Sequence, residues 1–239
     1  MSSSSVDSEL GTLISRPMLT LYHLWLSPYS RKVRVILAEK RLEFTMKVEK
    51  VWERRPDFLA LNPAGTVPVL VEPDGTVIAD SNAIAEYLDE AYPERPLIGA
   101  SPYGRAEVRR LVAWFDTKFG REVSKNVLDE KFLKRFLGLG QPDGSAIRAG
   151  LGNLHYHLDY IGYLAERRNW LAGEDFSLAD IAAGAHLSCI DYLGDVPWED
   201  HLPARVWYAR LKSRPSFRTI LSDHIPGIPP SKHYANPDF

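Results

Sequence analysis

The feature that most constrains the fold is a short segment, Ser27-Pro28-Tyr29-Ser30, that separates a predicted strand from a predicted helix. The alternating apolar residues of Leu19-Thr20-Leu21-Tyr22 predict the strand, and apolar residues at helical spacing over 31–40 predict the helix. The first amides of a helix have no partner inside it and carry partial positive charge. A proline-containing loop at such a helix start can therefore hold an anion, for example a thiolate.

The two serines of this segment have different interpretations. A serine hydroxyl can donate a hydrogen bond to an anion at the helix start, or its oxygen can cap the helix. The spacing favours Ser30 as a simple cap, whereas Ser27 lies further out and has no such local explanation. We therefore predict Ser27 as the candidate catalytic hydroxyl and Ser30 as a weaker candidate.

Composition limits the class of function. The chain has 239 residues, of which 45% are hydrophobic and 25% charged, as in ordinary globular proteins of one large or two small domains. A net charge of −2 provides no overall field that favours nucleic acid or an anionic membrane. The single cysteine, Cys189, excludes an internal disulfide and a multi-cysteine metal site, and it suits the cytoplasm. No apolar run approaches a membrane span, so we expect no membrane insertion. From the net charge we expect no nucleic-acid partner, and we expect no metal.

The start of the chain differs in composition from the rest. The first 16 residues are polar and serine-rich, and they lack the basic start and apolar centre of a secretory signal. We expect residues 1–17 to be a mobile extension, or the consequence of a misplaced start with Met18 near the true beginning of the fold. From residue 18 to about 97, strand and helix patterns alternate, with a second strand predicted over 42–51.

A second motif begins at Asn62. The apolar, β-branched residues over 67–71 predict a strand. Pro68 lies near its start, and since proline cannot donate inside a ladder, it must be at a strand end or follow an unusual peptide bond. An X-Pro bond is the one place where a cis peptide is cheap. Further on, Asp80-Ser81-Asn82 opens a helix. The Asp-Ser pair is either a helix cap or a holder of the ammonium and carboxylate of a small ligand.

Beyond Pro96 the sequence becomes helical. Ser101-Pro102 is a typical helix start, with an N-cap residue followed by proline. Ser177 and Asp180 resemble a capping box. The helix that starts there is predicted to carry an apolar stripe over 108–119, and further helices are predicted over 147–164, 178–193 and 203–213.

The aromatic and basic residues of the helical part each have two interpretations. The aromatic residues form the core, or they line an apolar acceptor pocket that faces Ser27. The residues predicted for this pocket are Trp25, Tyr103 and Trp114. The basic residues Lys131, Lys134 and Arg135 are a solvated face or a partner-docking face.

The tail, residues 223–239, is rich in proline. Its prolines forbid a helix and favour an extended form that has little entropy left to lose. Such a segment either docks into a groove of a partner or straps onto its own helical domain. The predicted partner-binding residues are Lys232, His233, Tyr234, Asp238 and Phe239.

These motifs, in this order, resemble those of cytosolic glutathione transferases. The segment from Ser27 to Ser30 looks like the Cys-Pro-Tyr-Cys start of a glutaredoxin with both sulfurs replaced by oxygen. Residues 62–70 and 80–84 resemble the glutathione-binding half of the family, and residues 170–181 resemble the signature of its helical domain. The resemblance implies an α/β thioredoxin-like domain, an all-helical bundle, a glutathione site and a homodimer. The implied bounds are 18–97 for the first domain and 101–222 for the second.

The resemblance also implies roles for individual residues. Ser27 matches the serine or cysteine that faces the glutathione sulfur. Val67 matches the residue whose backbone pairs with the cysteinyl part, before the cis-proline Pro68. Asp80 and Ser81 match the acidic-serine pair that holds the γ-glutamyl end.

Two positions depart from the family pattern. Thr66 stands where the family usually has a long polar or basic residue, and it cannot reach as far toward a ligand carboxylate. Asp80 is one methylene shorter than the Glu often found there. Both departures are expected to weaken the binding of glutathione.

The tail and the run over 189–198 are similar to those of the FzlA group, glutathione-transferase-like proteins of alphaproteobacteria that bind the division protein FtsZ. One function implied is a cytoplasmic binding protein with weak or no transferase activity that engages FtsZ filaments through its tail and adjacent helical surface. Deleting residues 224–239 should then abolish FtsZ binding and leave the fold intact. The alternative is a transferase in which Ser27 stabilises a glutathione thiolate that attacks a small apolar electrophile. We favour the first, because an enzyme does not need this tail.

Overall fold

The structure, a computed structural model, describes residues 18–237. The predicted extension over residues 1–17 and the tail residues Asp238 and Phe239 lie outside this described part. Four strands of the described chain form one sheet: β1 (Leu19–His23), β2 (Phe44–Val48), β3 (Val69–Val71) and β4 (Val77–Ala79). Their order is β2-β1-β3-β4, in which β1 runs parallel to β2 while β3 runs antiparallel to β1 and β4.

Three helices accompany the sheet: α1 (Pro28–Glu39), α2 (Pro56–Leu61) and α3 (Ser81–Ala91). This mixed sheet with its helices confirms the thioredoxin-like fold that the resemblance implied. Helix α2 was not predicted, because six residues are too few to establish a helical period. Helix α1 begins at Pro28 rather than at residue 31, because proline is well suited to the first helical position.

The rest of the described chain is helical. A continuous helical segment comprises α4 (Pro102–Ala113), a stretch with π-type hydrogen bonding that we call the π segment (Trp114–Leu133), and α5 (Lys134–Leu137). It is followed by α6 (Gly144–Ala165), α7 (Leu178–Tyr192), α8 (Leu202–Lys212) and α9 (Pro215–Leu221). Single 3₁₀ turns lie at Val51–Glu53 and Trp198–Asp200. The predicted helical bundle is therefore confirmed.

Helix α7 is the centre of the helical bundle, since every one of its residues is buried. Its start is fixed by the predicted capping box: the Ser177 side chain accepts a hydrogen bond from the Ala179 amide, and Asp180 accepts one from the Ser177 amide. The helix also needs a glycine at position 184. A Cβ built there would lie 2.1 Å from Cδ2 of Leu211, so no side chain fits unless the buried Leu211 side chain moves.

Helix α1 joins the two parts of the chain through buried cations. The Arg34 guanidinium donates to both carboxylate oxygens of Asp223, at 2.7 and 2.8 Å, and Arg31 donates to the same carboxylate at 3.3 Å. Lys32 forms a buried ion pair with Asp116 of the π segment. All three cationic side chains are at most 3% exposed, so these pairs are shielded from the screening that weakens surface pairs. No local pattern in the sequence indicates these pairings, because the partners are far apart along the chain.

The described part of the tail packs on its own helical domain. Tyr234 is fully buried, its ring lies edge-on to Tyr192 with centroids 5.0 Å apart, and its hydroxyl donates to the Ile220 carbonyl at 3.0 Å. The Tyr192 hydroxyl in turn donates to the Ile228 carbonyl at 2.7 Å. The tail is not simply extended, since it contains a turn closed by a bridge between Ile225 and Ile228.

These contacts correct the predicted roles of two tail residues. Tyr234 is wrong as an aromatic anchor for a partner, because its side chain is buried inside its own chain. His233 donates to the buried Asp191 carboxylate at 2.8 Å, so it too holds the tail down, whereas Lys232 remains exposed. Deleting residues 224–239 would remove these buried contacts, so we expect that deletion to destabilise the fold rather than to leave it intact.

Candidate functional site

A cleft of about 620 Å³ lies between the start of α1 and the π segment. Ser27, Tyr29, Thr66 and Val67 contribute to one side of it. The π segment contributes the other side, which is polar near Asp116 and apolar further along the helix. The cleft therefore brings the loop after β1 and the loop before β3 together opposite the helical domain.

Ser27 is the residue that caps α1, with backbone angles φ −80° and ψ 115°. Its Oγ accepts a hydrogen bond from the Ser30 amide at 3.2 Å. A hydroxyl that accepts in this way keeps its own hydrogen, which Ser27 can donate to an anion in the cleft. The position of the candidate catalytic serine is therefore compatible with the predicted chemistry.

The interpretation of Ser30 as the cap of α1 is wrong. Because Pro28 occupies the first helical position, the cap falls on the residue before it, Ser27. Ser30 lies in the first turn, is fully buried, and accepts a hydrogen bond from the Leu24 amide at 3.3 Å. It does not line the cleft, so its hydroxyl holds the loop and is not placed to act on a ligand there.

The backbone at Val67 lines the cleft beside Ser27, and the peptide bond between Val67 and Pro68 is cis, as the resemblance implied. Within residues 18–237, neither the amide nor the carbonyl of Val67 forms a hydrogen bond. A backbone with a free donor and a free acceptor at a cleft can pair with an extended peptide-like ligand. This is the pairing that the resemblance assigns to the cysteinyl part of glutathione.

Asp80 and Ser81 do not line the cleft. They lie at the same end of the sheet as Val67. The strands β3 and β4 are antiparallel, and Val69, where β3 begins, pairs with Ala79, where β4 ends. Asp80 caps α3, with Oδ1 accepting from the Asn82 amide at 2.7 Å, and Ser81 is buried. Both the cap interpretation and a position near Val67 are therefore compatible with the geometry.

Arg54 is a candidate binding residue that the sequence did not reveal. A Cβ built on Gly65 would lie 3.5 Å from Nη1 of Arg54, which places this guanidinium beside the loop that carries Thr66. The Arg54 side chain is exposed and forms no ion pair with the rest of the described chain. It can supply the positive charge that Thr66 lacks. The only signal in the sequence was a pair of arginines before Pro56, which does not say which arginine faces Thr66.

The three aromatic residues predicted for the acceptor pocket are not at the cleft. Trp25 packs edge-on against His23, with ring centroids 4.6 Å apart. Tyr103 is 82% exposed at the start of α4. Trp114 packs on Tyr160 at 4.6 Å between centroids, on the side of the helix that faces α6. The prediction is wrong because residue type alone does not tell which face of a helix an aromatic ring occupies.

The apolar side of the cleft comes instead from Leu128, Phe132 and Leu133 near the end of the π segment. From the sequence, the basic residues of this stretch were predicted to form a solvated face or a partner-docking face. Two of these are paired: Lys131 donates to Asp195, and Lys134 lies 2.6 Å from Glu130. Three charged residues separate Leu128 from Phe132 and Leu133, so the stripe is visible only once the helix is built.

A buried polar cluster supports the inner end of the cleft. Asp116 forms the ion pair with Lys32 and accepts a hydrogen bond from Nε2 of His186 at 3.3 Å. The Tyr29 hydroxyl donates to the Asp116 carbonyl at 2.9 Å, and the Ser124 hydroxyl pairs with Nδ1 of His186 at 2.7 Å. Burial alone would raise the pKa of Asp116, but the hydrogen bond from His186 and the charge of Lys32 hold that pKa below its ordinary value. The carboxylate is therefore charged and fully paired.

Two further observations bear on the expectations from composition. Over residues 18–237, no helix is both long and apolar enough to cross a membrane. In the same range, no three His, Cys, Asp or Glu side chains are grouped so that they could hold a metal ion. Cys189 is buried in α7, and burial raises the pKa of its thiol, which disfavours the reactive thiolate.

Comparison with known proteins identifies the family. The family model for the glutathione S-transferase N-terminal domain matches residues 26–91. FtsZ-localized protein A of Caulobacter vibrioides (strain NA1000 / CB15N) is 51% identical over 223 residues, which are 92% of this chain and 98% of that protein.

Solved structures agree with this result. The crystal structure of a glutathione S-transferase from Rhodospirillum rubrum F11 is 58% identical, with a TM-score of 0.91 over 93% of this chain and 100% of the other. FzlA from C. crescentus is 51% identical, with a TM-score of 0.90 over the same shares. The expected likeness to the FzlA group is therefore confirmed, and this chain belongs to the glutathione S-transferase family.

Proposed function

We propose that this protein is a cytoplasmic, FtsZ-associated member of the glutathione S-transferase family that regulates cell division, acts as a homodimer and has weak or no transferase activity. The observation that carries the proposal is the 51% identity to FtsZ-localized protein A over 98% of that protein. This likeness over almost the whole length supports the proposal that a surface that serves association with FtsZ in the relative has a counterpart here.

A groove of about 700 Å³ next to the tail is the surface that best supports this association. It is lined by the basic residues Lys131, Lys134 and Arg135 of the helical domain and by Ile228 of the tail. Arg135 is exposed and forms no ion pair within the described residues. The groove thus joins the predicted basic docking face to the tail. Tyr234 contributes by holding the tail against the helices, and Lys232 adds a cation at the exposed surface.

Charge reversal at this groove tests the proposal. The wild-type protein is expected to sediment with FtsZ filaments, and Arg135→Glu is expected to weaken this co-sedimentation about tenfold, as the reversal of a charge that pairs with a partner typically does. Arg41→Glu, which reverses an exposed arginine in the first domain, is the matched control and should bind as the wild type does. A chain that ends after Tyr234 tests Asp238 and Phe239 and keeps the buried tail contacts.

The possible outcomes of this experiment separate the parts of the proposal. A wild-type protein that stays in the supernatant with FtsZ filaments contradicts the association itself. Equal sedimentation of Arg135→Glu and wild type contradicts the assignment of the groove. Circular dichroism of each variant confirms that the helices are retained.

We infer a second function, the binding of glutathione, from the free backbone amide and carbonyl of Val67 beside the Ser27 hydroxyl and Arg54. The thiol of a free cysteine has a pKa of about 8.5. A hydrogen bond to the charged form contributes roughly 1.5–3 kcal/mol, and the helix start roughly 0.3–1 kcal/mol. One pKa unit is about 1.4 kcal/mol. Ser27 and α1 together therefore lower the pKa of the bound thiol enough for the thiolate to be common near neutral pH. A thiolate held in this way can attack a small apolar electrophile, which is the transferase alternative.

Calorimetric titration with glutathione measures this binding directly. Arg54→Ala is expected to weaken binding about tenfold or more, because it removes the cation nearest Thr66 and a hydrogen bond to a charged group is worth roughly 1.5–3 kcal/mol. Arg55→Ala is the matched control, since the guanidinium of that neighbour is already paired with Glu49, at 2.8 Å. Ser27→Ala is expected to raise the pKa of the bound thiol, which is read from its ultraviolet absorbance. No heat of binding at millimolar glutathione would remove this function.

A further inference from the structure

Asp129 is an unpaired carboxylate in the cleft. The π segment carries four acidic residues, and three of them are paired: Asp116 with Lys32, Glu122 with Lys118, and Glu130 with Lys134. Asp129 forms no hydrogen bond and no ion pair through its side chain with the described residues, although it is partly buried. It is therefore the acidic residue of this segment that has no ion pair among the described residues, although the charge of Lys125, four residues earlier, acts on it.

The surroundings of Asp129 are apolar. It lines the cleft together with its neighbour Leu128 and with Phe132 and Leu133, which lie one turn further along the helix. Burial raises the pKa of Asp129, and the opposing charge of Lys125 does not cancel this effect. A partly buried carboxylate without a partner costs free energy that a ligand with a complementary charge would recover.

Asp129 faces the first domain across the cleft. Its charge contributes to the raised pKa of Tyr29, after the larger effects of burial and of Asp116. Tyr29 lies in the first turn of α1, close to the cap residue Ser27, and both residues line the cleft together with Asp129. The carboxylate therefore borders the space that a ligand extending from Ser27 would fill. The exposed cations of the same helix, Arg121 and Lys125, precede Asp129 in the chain and also line the cleft. Along the helix the charge thus changes from positive to negative before the apolar end.

We propose that the cleft takes a second ligand, beyond the glutathione site, that carries an ammonium or similar cationic nitrogen group on an apolar body. The body contacts Leu128, Phe132 and Leu133, and the nitrogen donates to the Asp129 carboxylate. This inference rests on the glutathione site proposed above, because that site defines the end of the cleft from which the second ligand extends. It narrows the ligand class from apolar molecules in general to apolar amines.

Paired derivatives of glutathione test this inference. S-alkyl glutathiones with chains of four, six and eight carbons are compared with the same chains ending in an amine, for example S-hexylglutathione and S-(6-aminohexyl)glutathione. At the chain length that reaches Asp129, the amine is expected to bind about tenfold more tightly than its methyl-terminated partner, as a charge-assisted hydrogen bond in a partly dry site allows. In Asp129→Asn this ratio should fall to about one, while the methyl-terminated partner keeps its affinity, which also shows that the variant is folded.

A neighbouring carboxylate provides the control. Glu130→Gln removes a charge from the next residue, which pairs with Lys134 and does not line the cleft, and it should keep the preference for the amine. Equal binding of amine and methyl members at all three lengths overturns the inference alone, as does a preference that survives in Asp129→Asn. Failure of every derivative to bind overturns the glutathione site, and this inference with it.

Discussion

Replacing Asp180 by alanine is expected to lower the free energy of unfolding by about 3–5 kcal/mol, since each buried donor left without a partner costs about 1–3 kcal/mol. The Asp180 carboxylate accepts hydrogen bonds from the Leu171 amide at 2.9 Å, the Ser177 amide at 3.2 Å and Nε1 of Trp207 at 3.0 Å. Alanine leaves all three donors buried and unpaired, and it removes half of the capping box at the start of α7. Urea denaturation followed by circular dichroism measures the loss.

Two further variants make this prediction specific. Asp180→Asn keeps an oxygen for the Leu171 amide and the Trp207 indole but directs an NH₂ group at the Ser177 amide, so its loss should be intermediate. Asp175→Ala removes an exposed carboxylate nearby and should change the free energy of unfolding by less than about 0.5 kcal/mol. A loss below about 1 kcal/mol for Asp180→Ala would show that the three donors find other partners.

The second large effect is expected from Lys32→Met, which breaks the buried pair with Asp116. Removing one partner leaves an uncompensated charge in the interior, and the expected loss in the free energy of unfolding is about 3–5 kcal/mol. The double variant Lys32→Met/Asp116→Leu should recover much of this loss, because an apolar pair replaces both charges. Lys50→Met, which breaks an exposed pair with Glu53, is the control and should cost less than about 1 kcal/mol.

The pH dependence of Lys32→Met has a definite sign. Removing the cation raises the pKa of Asp116 from its wild-type value, because the hydrogen bond from His186 is then the main interaction that opposes the effect of burial. Between the two pKa values the folded wild type releases a proton that the folded variant retains, so the loss of stability relative to wild type grows as the pH rises through this range. The loss relative to wild type should therefore be small at acidic pH and large at neutral pH. A loss that does not change with pH would contradict this account of Asp116.

Local signals in the sequence predicted most of the fold. The sheet, the helix start at Ser101 and the buried helix α7 follow from periodicity and from capping residues, which act between neighbours in the chain. The backbone part of the glutathione site, Val67 with Pro68, also followed from one local motif. The spacing of residues predicts the cap of α1 at Ser30, whereas the structure has it at Ser27, because Pro28 occupies the first helical position.

Contacts between distant segments explain what the sequence did not predict. Lys32 and Asp116 are 84 residues apart, and no periodicity relates them. Arg54 approaches Thr66 through the folding of an irregular loop, and Asp129 becomes part of the cleft only when the helical domain packs on α1. From the sequence, the tail could either dock into a partner or pack on its own helical domain. The burial of Tyr234 shows that the described part of the tail packs on its own domain. Trp114 does not line the cleft, because its ring packs against Tyr160 of α6, a contact that the local sequence does not indicate.

The buried cations of α1 have a consequence for truncated versions of this protein. A gene fragment that ends near residue 97 matches the sequence family well, yet it would expose Arg31, Lys32 and Arg34 without Asp116 and Asp223, their counterions. Three neighbouring positive charges on one uncovered helix repel each other and favour nonspecific adsorption. We therefore expect the thioredoxin-like half to be less stable and less soluble when it is expressed alone than when both halves are expressed together.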